Sequence, residues 1–466
     1  MATAFEELMD IRGLGMAEEG EVSVTGADPV FSARFKIGET TANILGGVGV
    51  AVSDIWEMKS STRQKIAIDA RHAAAACRSS KYLSQPAPGG GWERVRSTPE
   101  MEHMFTITQP WQTKDGRWYL PHFNLPHLHD RVIGVLKCEP SVDAVAEAVR
   151  KWDALDLENA IAEARACGSI IRSNAEWLTH PHGKMLADKP LIEITKIADT
   201  DPIPFPEGPR PLSGIRALDL TRILAGPIAA RTLAENGADV LMVTAPHLPQ
   251  VPEHVMDTNH GKRSCFLDFN KQDDLQSLKS LAAGADVFSQ GYRPGVMEGF
   301  GLGPENLAEI NPGIVYLSIS CYGADGPLSG RAGWEQIAQC ATGICLDNGD
   351  ERPTLLPAAT CDYTTGYLGA YGVLLALGRR AREGGSYHVR VSLCQSGMFI
   401  YRQGQVDYSA PDMDLSSDEL DAIMVETETG QGPLKHMAPI LKLSETPPFW
   451  DKPTPLLGSS QPAWAA

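Results

Sequence analysis

The chain has 466 residues, 58 acidic against 41 basic side chains and a formal net charge of −17, a balance that excludes a surface built to wrap nucleic acid or to rest on anionic lipid. Its 43% hydrophobic and 21% charged content is that of an ordinary globular protein, and the length suits two domains that share an interface. No apolar run reaches the ~20 residues of a membrane span.

Met1 to Gly20 is acidic and lacks the basic start and apolar run of a signal or transit peptide, so the cytoplasm is the expected compartment. A helix is predicted over Ile37–Met58 and a strand over Lys65–Asp69, followed by a loop that contains Gly89, Gly90 and Gly91. Strands over Met104–Gln109 and Arg117–Pro121 are predicted around the Asp115-Gly116 turn signal. Helices over Val142–Asp153, Leu157–Cys167 and Ala175–Leu178 complete a smaller α+β module.

The proline-rich stretch Asp201 to Pro211 has the composition of a linker, giving an N-terminal module over 1–210 and a second over 211–466. Beyond it, strands are predicted over Ile215–Leu220, Asp239–Val243, Ser264–Leu267, Asp286–Ser289 and Ile314–Ile319, with helices over Gly226–Asn236 and Asp273–Ala283. Short apolar strands alternating with helices predict a parallel sheet covered on both faces, an α/β, Rossmann-like domain. Helices over Gly333–Cys345 and Asp362–Arg382 then lead to a strand over His388–Leu393.

An internal repeat relates the modules. Gly38-Glu39-Thr40-Thr41 through Val50 runs parallel to Cys361-Asp362-Tyr363-Thr364 through Val373, and the same register continues from Lys65–Asp69 to His388–Ser392. In both copies a helix studded with glycine feeds a strand. The pattern suggests a duplicated chain whose parts stand in a shuffled order.

Read from the residues alone, the candidate chemistry stays open. Leu218 to Pro227 joins a strand to a helix N-terminus, either a ligand cradle or a plain connection begun by Pro227. Asp362 at a helix start is either an N-cap or a carboxylate poised for attack. Glu335 and Gln339 either orient a substrate or line a satisfied helix face. Nine cysteines with no CxxC pair read as reduced thiols, and His72, His127, His129, His180 and His182 have no metal spacing, so no metal is expected.

The ordered series Leu218–Pro227, Leu233–Val240, Gly261-Lys262-Arg263-Ser264 and Tyr292-Arg293-Pro294-Gly295 resembles the family III CoA-transferases, a group that includes alpha-methylacyl-CoA racemase. Thr113–Trp118 and Glu176–Pro181 resemble that family's smaller domain, and Pro455–Gly458 its C-terminal signature. The resemblance implies a CoA-binding Rossmann-like domain, an acyl-CoA and a carboxylic acid as substrates, no permanently bound cofactor, and a homodimer. It implies that Asp362 attacks the thioester and becomes a mixed anhydride, with Glu335 and Gln339 orienting the acyl group and Glu39 a vestige in the other copy.

By the same resemblance adenine sits near Leu224 and Ala225 against Tyr292, while Lys262, Arg263 and Arg293 are the cations for the phosphates. Ala245-Pro246 and Asn270 stand where relatives often carry basic residues. Gly89, Gly90 and Gly91 correspond to a mobile cover over the nucleophile, or form a simple flexible linker. Racemases of the family have a histidine base where Trp334 stands, so acyl transfer is expected over racemisation; a racemase or epimerase and a non-catalytic acyl-CoA-binding remnant are the alternatives.

Overall fold

A computed structural model describes residues 3–408 and 413–465. Its largest sheet has seven strands in the order Lys262–Phe266, Asp239–Thr244, Arg216–Asp219, Val287–Gln290, Val315–Ser320, Ser386–Ser392 and Glu193–Ala198. The first six are parallel and the last is antiparallel. Central strands such as Asp239–Thr244 are buried over nearly their whole length, which is why they read as unbroken apolar runs. After the edge strand Glu193–Ala198 the chain enters the parallel part at Arg216–Asp219, moves outward to Lys262–Phe266, then returns past Arg216–Asp219 to Val287–Gln290. Strand order therefore reverses between Arg216–Asp219 and Val287–Gln290, and a crevice opens beyond their C-terminal ends.

The α/β reading holds. The turn at Asp115-Gly116 is also present, but its strands are only Trp111–Gln112 and Trp118–Pro121. Met104 to Ile107, expected as strand, ends the helix Pro99–Ile107. Thr98 caps that helix by accepting from the Met101 amide, and Pro99 occupies its first turn, a start signal that outweighs the apolar run. The helix expected over Gly333–Cys345 starts only at Glu335 and breaks at Gly343, whose φ of 99° admits no ordinary side chain.

The repeated segments fold alike. Ile37–Ser60 and Thr360–Glu383 are both 24-residue helices, and the register that pairs Glu39 with Asp362 also pairs their first and last residues. They pack together in the core, where the Tyr371 hydroxyl donates to the Leu8 carbonyl, 2.6 Å. Even the capping is reproduced: Asp28 accepts from the amides of Gly38 and Glu39, as Glu335 does from those of Cys361 and Asp362.

Residues on the two sides of the 210/211 linker share sheets. Glu193–Ala198 is the edge strand of the seven-stranded sheet, the hairpin Met424–Thr429 with Gly432–Met437 adds to Ser84–Pro86, and Lys442–Leu443 pairs with Ile66–Asp69. All nine cysteines are free thiols. Among the described residues no helix is long and apolar enough to cross a membrane, and no group of His, Cys, Asp and Glu is arranged to hold a metal ion.

Candidate active site

Two cavities meet at Asp362. One, of about 400 Å³, lies in the crevice at the strand reversal and is lined by the turn Leu220 to Gly226, by Gly291 to Pro294 and by Arg331 to Trp334. The other, of about 630 Å³, is lined by Arg78, Lys81, Arg94 to Ser97, Phe105, Leu355 and Leu356. Ile223, Leu224, Trp334 and Asp362 border both. The nucleophile candidate thus stands on the wall between two chambers.

Asp362 lies in the first turn of Thr360–Glu383 and is only 6% exposed. Glycines bring its helix close to the neighbouring one: a Cβ at Gly366 would meet the Ala225 carbonyl oxygen at 2.6 Å and the Ile228 Cβ at 2.7 Å. That approach lets the Ala225 amide donate to the Asp362 carboxylate. Just before it, Ile223 has φ 76°, an outlier for a β-branched residue and of the kind that persists where the surroundings over-determine it.

Glu335 organises the helix start. Its Oε1 accepts from the Cys361 amide at 3.1 Å and its Oε2 from the Asp362 amide at 2.6 Å. Gln339 Nε2 donates to Glu335 Oε1 at 2.6 Å, while Gln339 Oε1 accepts from the Leu356 amide at 2.8 Å. Burial pushes Glu335 up to about 7 against the amides that favour its anion. Burial and then the Glu335 charge hold Asp362 well above the usual carboxylate range, opposed by the Ala225 amide. Two carboxyls in one dry site cannot both ionise cheaply; Glu335, with three donors, is the better-stabilised anion.

The structure brings Leu224, Ala225, Tyr292 and Arg293 into the first cavity together with Asp362. Glu335 and Gln339 line the second. Lys262 and Arg263 reach neither cavity. The Lys262 ammonium is enclosed, 2.9 Å from Asp219 Oδ2 and 3.0 Å from the Pro227 carbonyl, because its strand points it beneath the turn and a buried ammonium needs those partners. Arg263 is spent on Asp239 and the Ala463 carbonyl. Arg222, within the turn Leu218–Pro227, and Arg331, three residues before Trp334, line the first cavity instead, Arg331 also pairing with Glu158 at 3.2 Å.

Gly89, Gly90 and Gly91 form the turn of the hairpin Ser84–Pro86 with Trp92–Arg94. The glycines are exposed and border neither cavity, but the strand they feed continues into Arg94 to Ser97, a wall of the second chamber. Glu39, the counterpart of Asp362, is half-buried, borders neither cavity and pairs with Lys36 at 3.3 Å. Trp334 packs on His122, ring centroids 4.7 Å apart. That histidine is buried, held down to about 4 by desolvation, and borders neither cavity.

Residues 212–419 match the sequence model of CoA-transferase family III. The chain is 34% identical over 322 residues to the acetyl-coenzyme A transferase nodX of Hypoxylon pulicicidum, covering 64% of this chain and 54% of that protein. It is 30% identical over 412 residues to an acyl-CoA transferase of Gibberella moniliformis, covering 79% and 71% respectively. A crystal structure of a CAIB/BAIF family protein from Brucella suis aligns with TM-score 0.39 and 28% identity over 48% of this chain and 65% of that one. The chain therefore spans about half the length of the first of these relatives and most of the second. On the match to the Gibberella protein, together with the matched family segment, the chain belongs to CoA-transferase family III.

Proposed function

We propose that the chain moves coenzyme A from an acyl thioester to a second carboxylic acid, with Asp362 carrying the acyl group as a mixed anhydride. The observation that carries this reading is the place of Asp362 on the wall shared by both cavities. The CoA thioester enters the first chamber, with adenine against Leu224, Ala225 and Tyr292, and with Arg222, Arg293 and Arg331 as the cations for its phosphates, a role that suits guanidinium geometry. The acyl group reaches into the second chamber.

In the first step an Asp362 oxygen attacks the thioester carbon and the CoA thiolate leaves, giving the anhydride. The thiolate then attacks the aspartyl carbonyl and releases the donor acid, leaving an aspartyl thioester. The acceptor carboxylate attacks that carbon, expelling the thiolate and forming a second anhydride, and the thiolate takes the acceptor's acyl group and frees Asp362. Raised basicity makes Asp362 a better nucleophile once it is ionised. Glu335 and Gln339 hold the helix start in place, and the hairpin turned by Gly89 to Gly91 serves as the cover that keeps water from the anhydride.

Trp334 supports transfer over racemisation, since an indole offers no basic nitrogen to take an α-proton. Both chambers are walled by one chain; a homodimer in the cytoplasm is the expected assembly and compartment. The test is incubation with a panel of acyl-CoAs and free acids, followed by hydroxylamine trapping and mass spectrometry. A hydroxamate at Asp362, lost in Asp362→Asn, is the expected result. Binding of acyl-CoA without exchange, a hydroxamate elsewhere, or α-deuterium exchange without transfer overturns it.

A further inference from the structure

Of the side chains that border both cavities, Ile223, Leu224, Trp334 and Asp362, the indole of Trp334 is the largest. Its backbone is fixed on two sides. The Trp334 carbonyl accepts from the Ile337 and Ala338 amides, both at 3.0 Å, and the preceding Gly333 packs so closely on Cys321 that a Cβ there would collide with its side chain.

The ring itself rests on His122, with centroids 4.7 Å apart and planes 35° from parallel. His122 is fully buried, and desolvation brings it down to about 4, so it is neutral at working pH. Its Nε2 donates to Gln336 Oε1 at 3.1 Å, and its Nδ1 has no hydrogen-bond partner among the described residues. Because it borders neither cavity, it has no route for passing a proton to a substrate. What it supplies is a flat face against Trp334.

While the anhydride exists, the acyl group fills the second chamber and CoA the first, and the seam between them lies at Asp362. Trp334 covers that seam. Shortening it to alanine would open a void that neither ligand fills, with room for several waters at ~30 Å³ each. A purely apolar void stays dry, but this one would be flanked by Asp362, Glu335 and Gln336, polar groups that hold water beside the reacting carbon.

We propose that Trp334, seated on His122, is the partition that keeps water from the anhydride and so decides between transfer and hydrolysis, with His122 as the positioning residue for its ring. The inference rests on the transfer reading and adds what shields its intermediate inside the site. Without the partition, water attacks the acyl carbon and the bond to the Asp362 oxygen breaks, which restores the carboxylate and frees the donor acid. One water proton goes to the CoA thiolate, and the other is released as the acid ionises.

The test gives the full chain acetyl-CoA, hexanoyl-CoA or succinyl-CoA, each with its own deuterated free acid. Deuterium entering the thioester reads transfer, and free CoA thiol reads hydrolysis. The parent is expected to exchange with little hydrolysis, and Trp334→Ala to raise the ratio of hydrolysis to exchange at least about 10-fold. Trp334→Phe, which keeps a flat ring on His122, stays near the parent. His122→Ala, which removes the seat, raises the ratio, while His122→Phe, which keeps the seat without the Gln336 bond, does not. A merely structural role lowers both rates together and leaves their ratio alone. An unchanged ratio in Trp334→Ala, or in Trp334→Leu and His122→Ala should the first variant not fold, therefore overturns the proposal. Absence of exchange by the parent on every thioester refutes the transfer reading instead, and this proposal falls with it.

Discussion

Replacing Glu335 by glutamine separates the two forces that act on the head of the helix Thr360–Glu383. The carboxylate satisfies two backbone amides and the Gln339 amide, yet burial raises it from the ordinary 4.5 to about 7. A shift of that size corresponds to about 3 kcal/mol. Because the folded value lies above the unfolded one, the folded protein binds the proton more tightly. That contribution to stability is fully present below pH 4.5 and is lost as pH rises through 7. Glutamine does not titrate, but it offers one acceptor oxygen where two amides need partners, a loss of about 1–3 kcal/mol.

The variant is therefore expected to be less stable than its parent at pH 5, with the gap closing or reversing by pH 8.5. Urea denaturation across that range, in an Asp362→Asn background that removes the neighbouring titration, measures it. A gap that stays constant with pH refutes the assignment of Glu335 as a carboxyl strained by burial.

Asp362 is held well above the usual range by burial and Glu335, so exchange activity is expected to rise with pH along an acid limb displaced above ordinary aspartate values, and a kcat profile locates that limb. Gly366→Val forces the helix away from Ala225 and Ile228; it is expected to cost about 1–3 kcal/mol while lowering kcat far more than the folded fraction explains. Lys262→Met leaves the buried Asp219 carboxylate without its ammonium, a loss of about 3–5 kcal/mol in thermal or urea unfolding, with KM for the CoA thioester unchanged in the protein that remains folded. A rise in that KM would return Lys262 to the phosphates.

Much of the architecture was legible because buried parallel strands announce themselves as short apolar runs, and the helix of Thr360–Glu383 as a glycine-studded repeat of Ile37–Ser60. Asp362, Leu224, Ala225 and Tyr292, expected together from the family resemblance, line one cavity. Lys262 and Arg263 were misassigned because a positive charge in sequence carries no sign of which face of its strand it occupies; Lys262 points inward to Asp219 and Arg263 is engaged by Asp239. The helix ending at Ile107 was missed because its apolar spacing is short enough to pass for a strand, and its cap at Thr98 lies outside that window. The cations that line the second chamber, Arg78, Lys81, Arg94 and Arg96, flank the hairpin turned at Gly89 to Gly91, and no motif joins them.

The edge strand Glu193–Ala198 is synthesised long before Ser386–Ser392, the only strand it pairs with among the described residues. As the chain leaves the ribosome, its first half emerges with a ribbon that has no sheet to join and with the hairpin Ser84–Pro86/Trp92–Arg94 still lacking its Gly432–Met437 neighbour. Closure of long-range pairings is slow and leaves sticky edges exposed meanwhile. Nascent protein should therefore lean on chaperones until the last hairpin is released, and either half expressed by itself should collect in inclusion bodies, while the two co-expressed as fragments recover soluble material.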